Sequence, residues 1–253
     1  MRRHGKIGVL VQARMGSKRL PGKALAEVRG KPLLQGLCNR MRLCRSVDEV
    51  IVATSDQRED DAIAEACIAW GFPVFRGPAK DLTARLLGAA KANHLEAFVR
   101  VTGDNPLTDP DGIDELIETF LTIDRAGGNG PLLVHNMHTR GYPYGTGAEV
   151  ASRSVLDLCD RELRCDEERE NFAQFTKRHP RQFACTKIDA PPHLLRPQYF
   201  LTVDYQEDLD LQGAIYRHFL GRDEISLNEV VAFLDANPAM AKLNSHLHHQ
   251  FAE

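Results

Sequence analysis

Residues 9–23 read VLVQARMGSKRLPGK, an apolar run that leads into a loop with four cations and two glycines. Glycines let backbone N–H groups approach phosphate oxygens, and arginine and lysine side chains add charge-assisted donors. The formal net charge of the 253-residue chain is only −3, so the positive charge of this loop is local. The loop predicts a site for a compact polyphosphate, with a solvated basic turn as the alternative. Its cations are Arg14, Lys18, Arg19 and Lys23.

The spacing of the loop excludes two common phosphate motifs. A Walker A loop has four residues between its first glycine and a Gly-Lys pair, and a serine or threonine follows. Here five residues separate Gly16 from Gly22, and Ala24 follows Lys23. The three-glycine fingerprint of dinucleotide-binding folds is also missing from this loop. The predicted phosphate site therefore belongs to another class.

Outside the loop, the composition favours a globular protein that handles small molecules. Hydrophobic residues make up 43% of the chain, enough for one large α/β domain. Lysine and arginine (32) nearly balance aspartate and glutamate (35), which argues against a nucleic-acid partner. The apolar run behind the N-terminal cations is too short for a signal peptide or a membrane span. We therefore expect a cytoplasmic protein without a membrane partner.

The cysteines and histidines do not predict a metal site. Six cysteines are scattered without a C-x-x-C pair, so neither a zinc site nor a redox motif is indicated. His246, His248 and His249 follow the last apolar helix without a neighbouring cysteine or acidic cluster. We interpret them as part of a polar tail with no structural role.

Short β-type runs alternate with helix-period segments along most of the chain, which predicts an α/β fold with a doubly wound parallel sheet. The predicted strands are 7–11, 50–53, 73–75, 98–102, 132–134, 149–150 and 199–203. The predicted helices are about 33–41, 59–70, 81–93, 111–123, 154–164, 167–178, 207–220 and 226–236.

The alternation changes after residue 126, where a turn-rich segment, 141–147, interrupts it. We interpret residues 1–253 as a single domain with three parts. Residues 1–125 form a nucleotide-binding half, and 126–198 form an acceptor-binding or lid insertion. Residues 199–253 provide a metal-binding strand and the C-terminal helices.

Two predicted strands are followed by aspartates, Asp104 after residues 98–102 and Asp204 after residues 199–203. Ligands of open α/β sheets bind beyond the carboxyl ends of the strands, where the basic loop also lies. Mg²⁺ prefers one or two carboxylates together with phosphate oxygens and water. Either aspartate alone is typical of a helix cap or turn, but together with the loop they predict a magnesium–nucleotide site.

Two further acidic segments are interpreted as helix starts. We interpret Asp56, which lies three residues before Glu59, as a helix cap. A contact with the nucleotide is the second interpretation. Asp109-Pro110-Asp111 is the candidate for the Asp-x-Asp metal motif of glycosyltransferases, but a proline in the first turn favours a helix start.

Five segments carry a family resemblance. They are ARxxSxRLPGK (13–23), VATSD (52–56), VFRG (74–77), TGDxPL (102–107) and VDxxEDL (203–209), where x marks a position that the resemblance leaves free. Together they closely resemble the cytidylyltransferase family of spore coat polysaccharide biosynthesis protein F, which is similar to the synthetases of CMP-sialic acid (acylneuraminate) and CMP-Kdo (3-deoxy-manno-octulosonate). The resemblance covers nearly the whole chain.

The resemblance implies a Rossmann-like, GT-A-type nucleotide-diphospho-sugar transferase fold with a mixed, mostly parallel sheet. It implies a Mg²⁺-dependent transfer of CMP from CTP to a small acidic or sugar acceptor, with release of pyrophosphate, for surface polysaccharide biosynthesis. It also implies a homodimer, with the insertion as the segment that binds the acceptor and contacts the second subunit. Such transfers need positioned cations and metal rather than a covalent nucleophile.

The same resemblance assigns candidate site residues. The catalytic candidates are Arg14, Lys23 and Asp104, and the metal ligands are Asp104 and Asp204. The nucleotide-binding candidates are Ala13, Arg14, Gly16, Ser17, Arg19, Lys23, Thr54, Asp56, Arg76 and Gly103. The acceptor-binding candidates are Tyr142, Tyr144 and Glu149.

The chain departs from the family pattern mainly where the acceptor is expected to bind. Tyr144 and Gly147 replace two aspartates of the insertion, Asn171 replaces the histidine of a Glu-Arg-Glu-His motif, and Asn105 replaces a cysteine. The acceptor and the base therefore stay open. Two alternatives also stay open: a glycosyltransferase of the same fold that consumes a nucleotide sugar, and a non-catalytic nucleotide-binding module.

Overall fold

The computed structural model describes residues 5–28, 30–127, 130–137, 141–170, 175–176, 178–220, 222 and 224–248. The first half contains β1 (Lys6–Gln12), β2 (Glu27–Val28), β3 (Lys31–Pro32), α1 (Leu33–Met41), β4 (Glu49–Ser55), α2 (Asp61–Ala69), β5 (Val74–Gly77), α3 (Leu82–Ala92), β6 (Leu95–Thr102) and α4 (Pro110–Arg125). The second half contains β7 (Leu132–His135), β8 (Glu149–Ser152), α5 (Arg153–Glu162), α6 (Asp166–Glu170), β9 (Ala184–Lys187), α7 (Gln206–His218), α8 (Leu227–Ala236) and α9 (Pro238–Ala241).

The main sheet has the strand order β5-β4-β1-β6-β8-β7-β9. β1 pairs in parallel with β4 and β6, and β8 is antiparallel to both of its neighbours. The sheet is therefore mixed and mostly parallel, which confirms the expected fold. Because β1 and β6 are adjacent and parallel, the segments that follow them lie at the same edge of the sheet.

Alternate residues of β1 face opposite layers of the core. Val9 and Val11 pack with residues of α1, α2 and α4, whereas Leu10 packs with residues of α3 and α5. These three side chains are fully buried, and burial of each contributes about 1.5–3 kcal/mol to the hydrophobic stabilisation. A third cluster under α7 and α8 includes Tyr199 and Leu201. The layers hold the end of β1 rigidly beside the end of β6.

The structure corrects the predicted strand at 199–203. This segment is extended but forms only an isolated bridge between Phe200 and Tyr144 among the described residues. Side chains bind its carbonyl oxygens instead, because Gln212 donates to Leu201 and Asn244 donates to Phe200. An apolar β-type run does not distinguish a sheet strand from an extended segment that packs on helices.

The predicted insertion also differs from the structure. Residues 126–198 do not form a separate insertion throughout, because β7, β8 and β9 complete the main sheet. Within the helix predicted at 167–178, α6 (Asp166–Glu170) and residues 175, 176 and 178 are helical, and residues 171–174 and 177 lie outside the described chain. Over the ranges that the structure describes, no helix is long and apolar enough to cross a membrane.

Candidate active site

A cleft of about 520 Å³ opens at the end of β1 and β6. Most of the predicted loop residues line it, together with both aspartates: Ala13, Arg14, Gly16, Ser17, Lys18, Arg19, Lys23, Gly103, Asp104 and Asp204. The structure therefore brings the basic loop and the two carboxylates into one site. The lining residues that the sequence did not single out include Ala79, Leu82 and Arg85, and Glu170 of the Glu-Arg-Glu motif also lines the cleft.

The basic loop is folded around the backbone of Met15. The Met15 carbonyl oxygen accepts hydrogen bonds from the N–H groups of Ser17 at 2.8 Å and Gly22 at 3.2 Å. Gly22 has a φ of 75°, which only glycine adopts without strain. The buried carboxylate of Asp60 accepts from the Met15 N–H at 2.6 Å and also from the N–H and hydroxyl of Ser55. The loop is therefore anchored to the end of β4.

Asp60 also corrects the predicted cap at Asp56. Asp56 does not cap α2; its carboxylate accepts a hydrogen bond from the side-chain amide of Gln57. The N-cap position of α2 is Asp60, whose carboxylate is committed to the basic loop and β4. Sequence spacing locates an acidic residue near a helix start but does not identify which one is buried.

Gly103 brings the loop after β6 into direct contact with the basic loop. Its N–H donates to the Gln12 carbonyl oxygen at 2.8 Å. A β-carbon at Gly103 would lie 2.8 Å from that oxygen and 3.0 Å from the β-carbon of Ala13. Any larger residue would push Asp104 away from the loop.

Lys23 lies between the two carboxylates of the cleft. Its Nζ is 2.8 Å from Asp104 Oδ2 and 2.8 Å from Asp204 Oδ1, and it donates to the Val203 carbonyl oxygen at 2.6 Å. Burial disfavours the charged ammonium, but the two carboxylates outweigh burial and raise the pKa of Lys23 above its ordinary value. Asp104 and Asp204 therefore converge on one cation position.

The backbone holds the two aspartates together. The N–H of Val203 donates to the Asp104 carbonyl oxygen at 2.8 Å, so the residue before Asp204 is bound to Asp104. Arg19 approaches Asp204 from the basic loop, at 2.8 Å from Oδ1, and its guanidinium lies over the Tyr205 ring at 5.0 Å. The charged floor of the cleft is thus built from three distant segments of the chain.

Arg85 is a cleft residue that the sequence did not reveal. It lies in α3, its Nη1 donates to the carbonyl oxygens of Pro78 and Ala79, and its buried Nε has no partner among the described residues. Burial lowers the pKa of Arg85 to about 10, and the guanidinium of Arg14 adds to this shift. A phosphate group would stabilise such a cation. The sequence signal that could have identified Arg85 is an arginine among leucines on the buried face of a predicted helix.

Arg14 binds the opposite wall of the cleft. Its Nη1 donates to the Ala79 carbonyl oxygen at 2.6 Å and lies 3.5 Å from the Glu170 carboxylate. Glu170 reaches this position because its neighbour Arg169 is bound to Asp81 and Asp160. The side chain of Arg14 is exposed, so a triphosphate can compete for it.

Asp208 supports Asp204 from behind, and its partners correct the interpretation of the terminal histidines. Its carboxylate accepts from the N–H groups of Asp204 and Tyr205 and from the side chains of Asn244 and His248. Burial by itself would raise the pKa of Asp208, but the bonds from His248, Asp204 and Asn244 lower it. His248 is fully buried, so it has a structural role. His249 lies outside the described residues.

Comparison with known proteins agrees with this geometry. The family model for cytidylyltransferases matches residues 8–215, which include both walls of the cleft and both aspartates. The chain belongs to the cytidylyltransferase family. It is therefore an enzyme of the nucleotidyltransferase class, as the sequence predicted.

Three proteins show how similar this cytidylyltransferase is to its relatives. It is 32% identical over 237 residues to the spore coat polysaccharide biosynthesis protein SpsF of Bacillus subtilis, covering 92% of this chain and 95% of that protein. It is 39% identical over 113 residues to a 3-deoxy-manno-octulosonate cytidylyltransferase of Anaeromyxobacter, covering 44% and 46%. The solved structure of a cytidylyltransferase from Leptospira borgpetersenii superposes with a TM-score of 0.87 at 30% identity, covering 94% and 97%.

Several predicted nucleotide contacts lie away from the described lining of the cleft. Thr54 is fully buried in β4, and Asp56 is exposed beyond its end. Arg76 binds the carbonyl oxygens of Ser55 and Gln57 and the carboxylate of Asp61. Their nucleotide-binding roles stay predictions.

The predicted acceptor residues are also dispersed. Glu149 is buried and forms an ion pair with Arg100 of β6, so it supports the sheet and does not line the cleft. Tyr142 is buried in the cluster under α7 and α8. Tyr144 lies close to the charged floor: burial raises the pKa of Tyr144, and the carboxylates of Asp204 and Asp104 raise it further.

The departures from the family pattern have different surroundings. A β-carbon at Gly147 would lie 2.9 Å from Asn136 Oδ1, so this position does not accept a side chain without movement. Asn105 is buried and its amide donates to the Thr102 hydroxyl at 2.6 Å. Asn171 lies outside the described residues.

The Asp-x-Asp alternative does not form a metal site. Asp109 caps α4 by accepting from the Gly112 N–H at 3.1 Å, and α4 begins at Pro110, which confirms the predicted helix start. Asp111 is exposed and pairs with Arg45. The geometry therefore gives no support to the glycosyltransferase alternative.

Proposed function

We propose that this cytidylyltransferase transfers CMP from CTP to a sugar acid or related acceptor, in a Mg²⁺-dependent reaction that releases pyrophosphate. The activated product serves surface polysaccharide biosynthesis. The observation that carries the proposal is the convergence of Asp104, Asp204 and Lys23 on the floor of a cleft lined by arginines. The choice of CTP rests on family membership, because the described side chains do not by themselves select a base.

The cations of the cleft match the charge that must be stabilised. When an acceptor oxygen attacks the α-phosphorus, the bond to the bridging oxygen breaks and pyrophosphate leaves with negative charge. Arg14, Arg19 and Arg85 line the cleft and can donate to phosphate oxygens. Lys23 can exchange one of its carboxylate contacts for a phosphate contact. Preorganised donors of this kind act by charge stabilisation and positioning.

Asp104 and Asp204 fit a magnesium ion. The two carboxylates already share one cation position, and Mg²⁺ requires only one or two carboxylates when phosphate oxygens and water complete its shell. Over the described residues, no group of three or more His, Cys, Asp or Glu side chains forms a richer site. When bound, the ion would neutralise phosphate charge and polarise the phosphorus–oxygen bonds.

The acceptor class is inferred from relatives. One is named for spore coat polysaccharide biosynthesis, and another for activating the acidic sugar 3-deoxy-manno-octulosonate. Tyr144, which lies near the two carboxylates, is the acceptor-binding candidate best placed to contact a sugar. The homodimer stays a prediction, which sedimentation equilibrium checks.

The test is a screen of the four nucleoside triphosphates against sugar acids, amino sugars and phosphonates, with pyrophosphate as the readout. We expect pyrophosphate release with CTP, Mg²⁺ and a sugar acid, and none when EDTA replaces Mg²⁺. Release that requires a nucleotide sugar, or tight CTP binding without turnover of any acceptor, would contradict the proposal.

A further inference from the structure

The C-terminal segment 238–248 reaches back to the floor of the cleft. It lies beyond residues 8–215, the part of the chain that the family model matches. Two of its side chains, Asn244 and His248, are fully buried. Both end on Asp208, the carboxylate that lies directly behind Asp204.

Asp208 divides its two oxygens between the cleft and this segment. Oδ2 accepts from the N–H of Asp204 at 2.8 Å and from the N–H of Tyr205 at 2.9 Å. Oδ1 accepts from Asn244 Nδ2 at 2.7 Å and lies 2.8 Å from His248 Nε2. With four donors in a buried site, the carboxylate has one orientation, and this orientation fixes the backbone of Asp204.

The same two residues hold the extended segment that precedes Asp204. Asn244 Nδ2 also donates to the Phe200 carbonyl oxygen at 2.8 Å. The His248 ring stacks on the Phe200 ring, with centroids 4.9 Å apart and an angle of 15° between the planes. It also meets the edge of Tyr205, the ring that lies under the Arg19 guanidinium.

We propose that Asn244 and His248 are positioning residues that orient the Asp204 carboxylate for metal binding through Asp208. The inference rests on the proposed function, since it takes Asp204 as a metal ligand. A partially oriented Asp204 would still attract cations, but it would not converge with Asp104 on one ion. Residues that orient metal ligands typically change metal affinity by about 10- to 100-fold when they are replaced.

The test compares CTP affinity with and without metal, measured by calorimetry in the absence of any acceptor. The ratio of CTP affinity in Mn²⁺ to that in EDTA reports the coupling between nucleotide and metal. His248→Leu removes the donor, and we expect it to lower this ratio about 10-fold with CTP affinity in EDTA unchanged. Asn244→Ala is expected to act in the same direction. His246→Leu, at an exposed neighbouring position, is the matched control and should leave the ratio unchanged.

A conservative pair separates positioning from a general loss of structure. Gln places a donor near the position of Nε2, whereas Asn is too short to reach Asp208. We expect His248→Gln to keep the ratio within about twofold of wild type and His248→Asn to lower it about 10-fold. An unchanged ratio in His248→Leu despite a lower melting temperature, or equal ratios in the Gln and Asn variants, would overturn the proposal.

The two proposals fail in different experiments. If no acceptor gives pyrophosphate but the ratio falls in His248→Leu, the proposed reaction is wrong and the positioning role stands. If wild type releases pyrophosphate but the ratio does not fall, the positioning role is wrong and the reaction stands.

Discussion

At the residue scale, Lys23 shares its ammonium between two carboxylates that come from distant parts of the chain. Asp104 follows β6, and Asp204 follows the extended segment 199–203. Each carboxylate lies 2.8 Å from the same nitrogen. A small change of charge at either aspartate should therefore affect the whole floor of the cleft.

Asp104→Asn and Asp204→Asn are each expected to lower turnover by on the order of 100-fold or more, because each removes one charge from the metal site. The fold should persist, since asparagine has nearly the same volume. Pyrophosphate release and circular dichroism check both points, with the exposed Asp111→Asn as the control. Normal turnover of both variants at saturating Mg²⁺ would show that these residues do not hold the metal.

The basic loop gives a graded prediction. Lys23→Ala and Arg14→Ala should weaken CTP binding and slow turnover, because both side chains are positioned by partners across the cleft. Lys18→Ala should matter less, because the family motif leaves its position free. Isothermal titration with CTP measures the affinity of each of the three variants. Equal small losses in all three variants would mean that the loop is only a basic surface.

Sequence patterns reveal the charged residues that lie next to strands but not those whose partners are distant. Asp104 and Lys23 are predictable because a β-type run leads into each segment. Asp60 and Arg85 look like ordinary helix residues, and only the fold shows that they face the loop and the cleft. The structural role of His248 is hidden because its partner Asp208 lies 40 positions earlier in the chain.

At the element scale, the segment 141–147 and the segment 199–204 form one unit beside the cleft. The N–H of Tyr144 donates to Tyr199, and the N–H of Leu201 donates to Tyr144. Gly145 has a φ of 89°, and a β-carbon there would lie 2.5 Å from the Thr202 nitrogen. The two segments can approach this closely only with glycine at that position.

Gly145→Ala is therefore expected to lower the free energy of unfolding by about 1–3 kcal/mol, because it adds backbone strain and a steric clash. Gly36→Ala is the matched control. Gly36 lies in α1, and a β-carbon added there would meet no neighbouring side chain within 4 Å, so alanine should stabilise the helix by up to about 1 kcal/mol. Urea denaturation measures both variants. Equal stability of Gly145→Ala and wild type would show that the two segments are not packed as described.

Tyr144→Asp tests the acceptor role of the same unit. The family pattern expected from the sequence has an aspartate here, and the side chain lies near Asp104 and Asp204, so we expect altered acceptor KM with CTP affinity preserved. Gly147 is left unchanged because a side chain there would strike Asn136. Tyr144→Phe keeps the ring and serves as the control. An unchanged acceptor profile and KM in Tyr144→Asp would rule out a role in specificity.

At the scale of the whole molecule, the parallel pairing of β1, β4 and β6 follows from sequence patterns, whereas the antiparallel part and the far edge of the sheet do not. The alternation of β-type runs and helices predicts β1, β4 and β6 with their helices. The strands β7 and β8 are also predicted, at 132–134 and 149–150, but the antiparallel pairing of β8 and the presence of the edge strand β9 depend on contacts between distant segments, which local patterns do not encode. Local patterns likewise do not show that the segment 238–248 packs against the site, because its partners lie far away in the chain.

The charge distribution of the whole molecule agrees with a small anionic substrate. The chain carries a net charge of −3, yet four arginines and lysines of one loop and Arg85 gather at a single cleft. A concentrated positive site on an overall acidic protein favours a compact polyanion such as a nucleoside triphosphate. The net charge and the cleft therefore point to the same class of ligand.

The most direct test of CMP transfer at this cleft is a ³¹P NMR time course with CTP, Mg²⁺ and the best sugar-acid acceptor. We expect one pyrophosphate for each CMP that enters a phosphodiester linkage to the acceptor, and no such signals with Asp204→Asn. Conversion of CTP to CDP and orthophosphate, or unchanged CTP with every acceptor, would contradict CMP transfer.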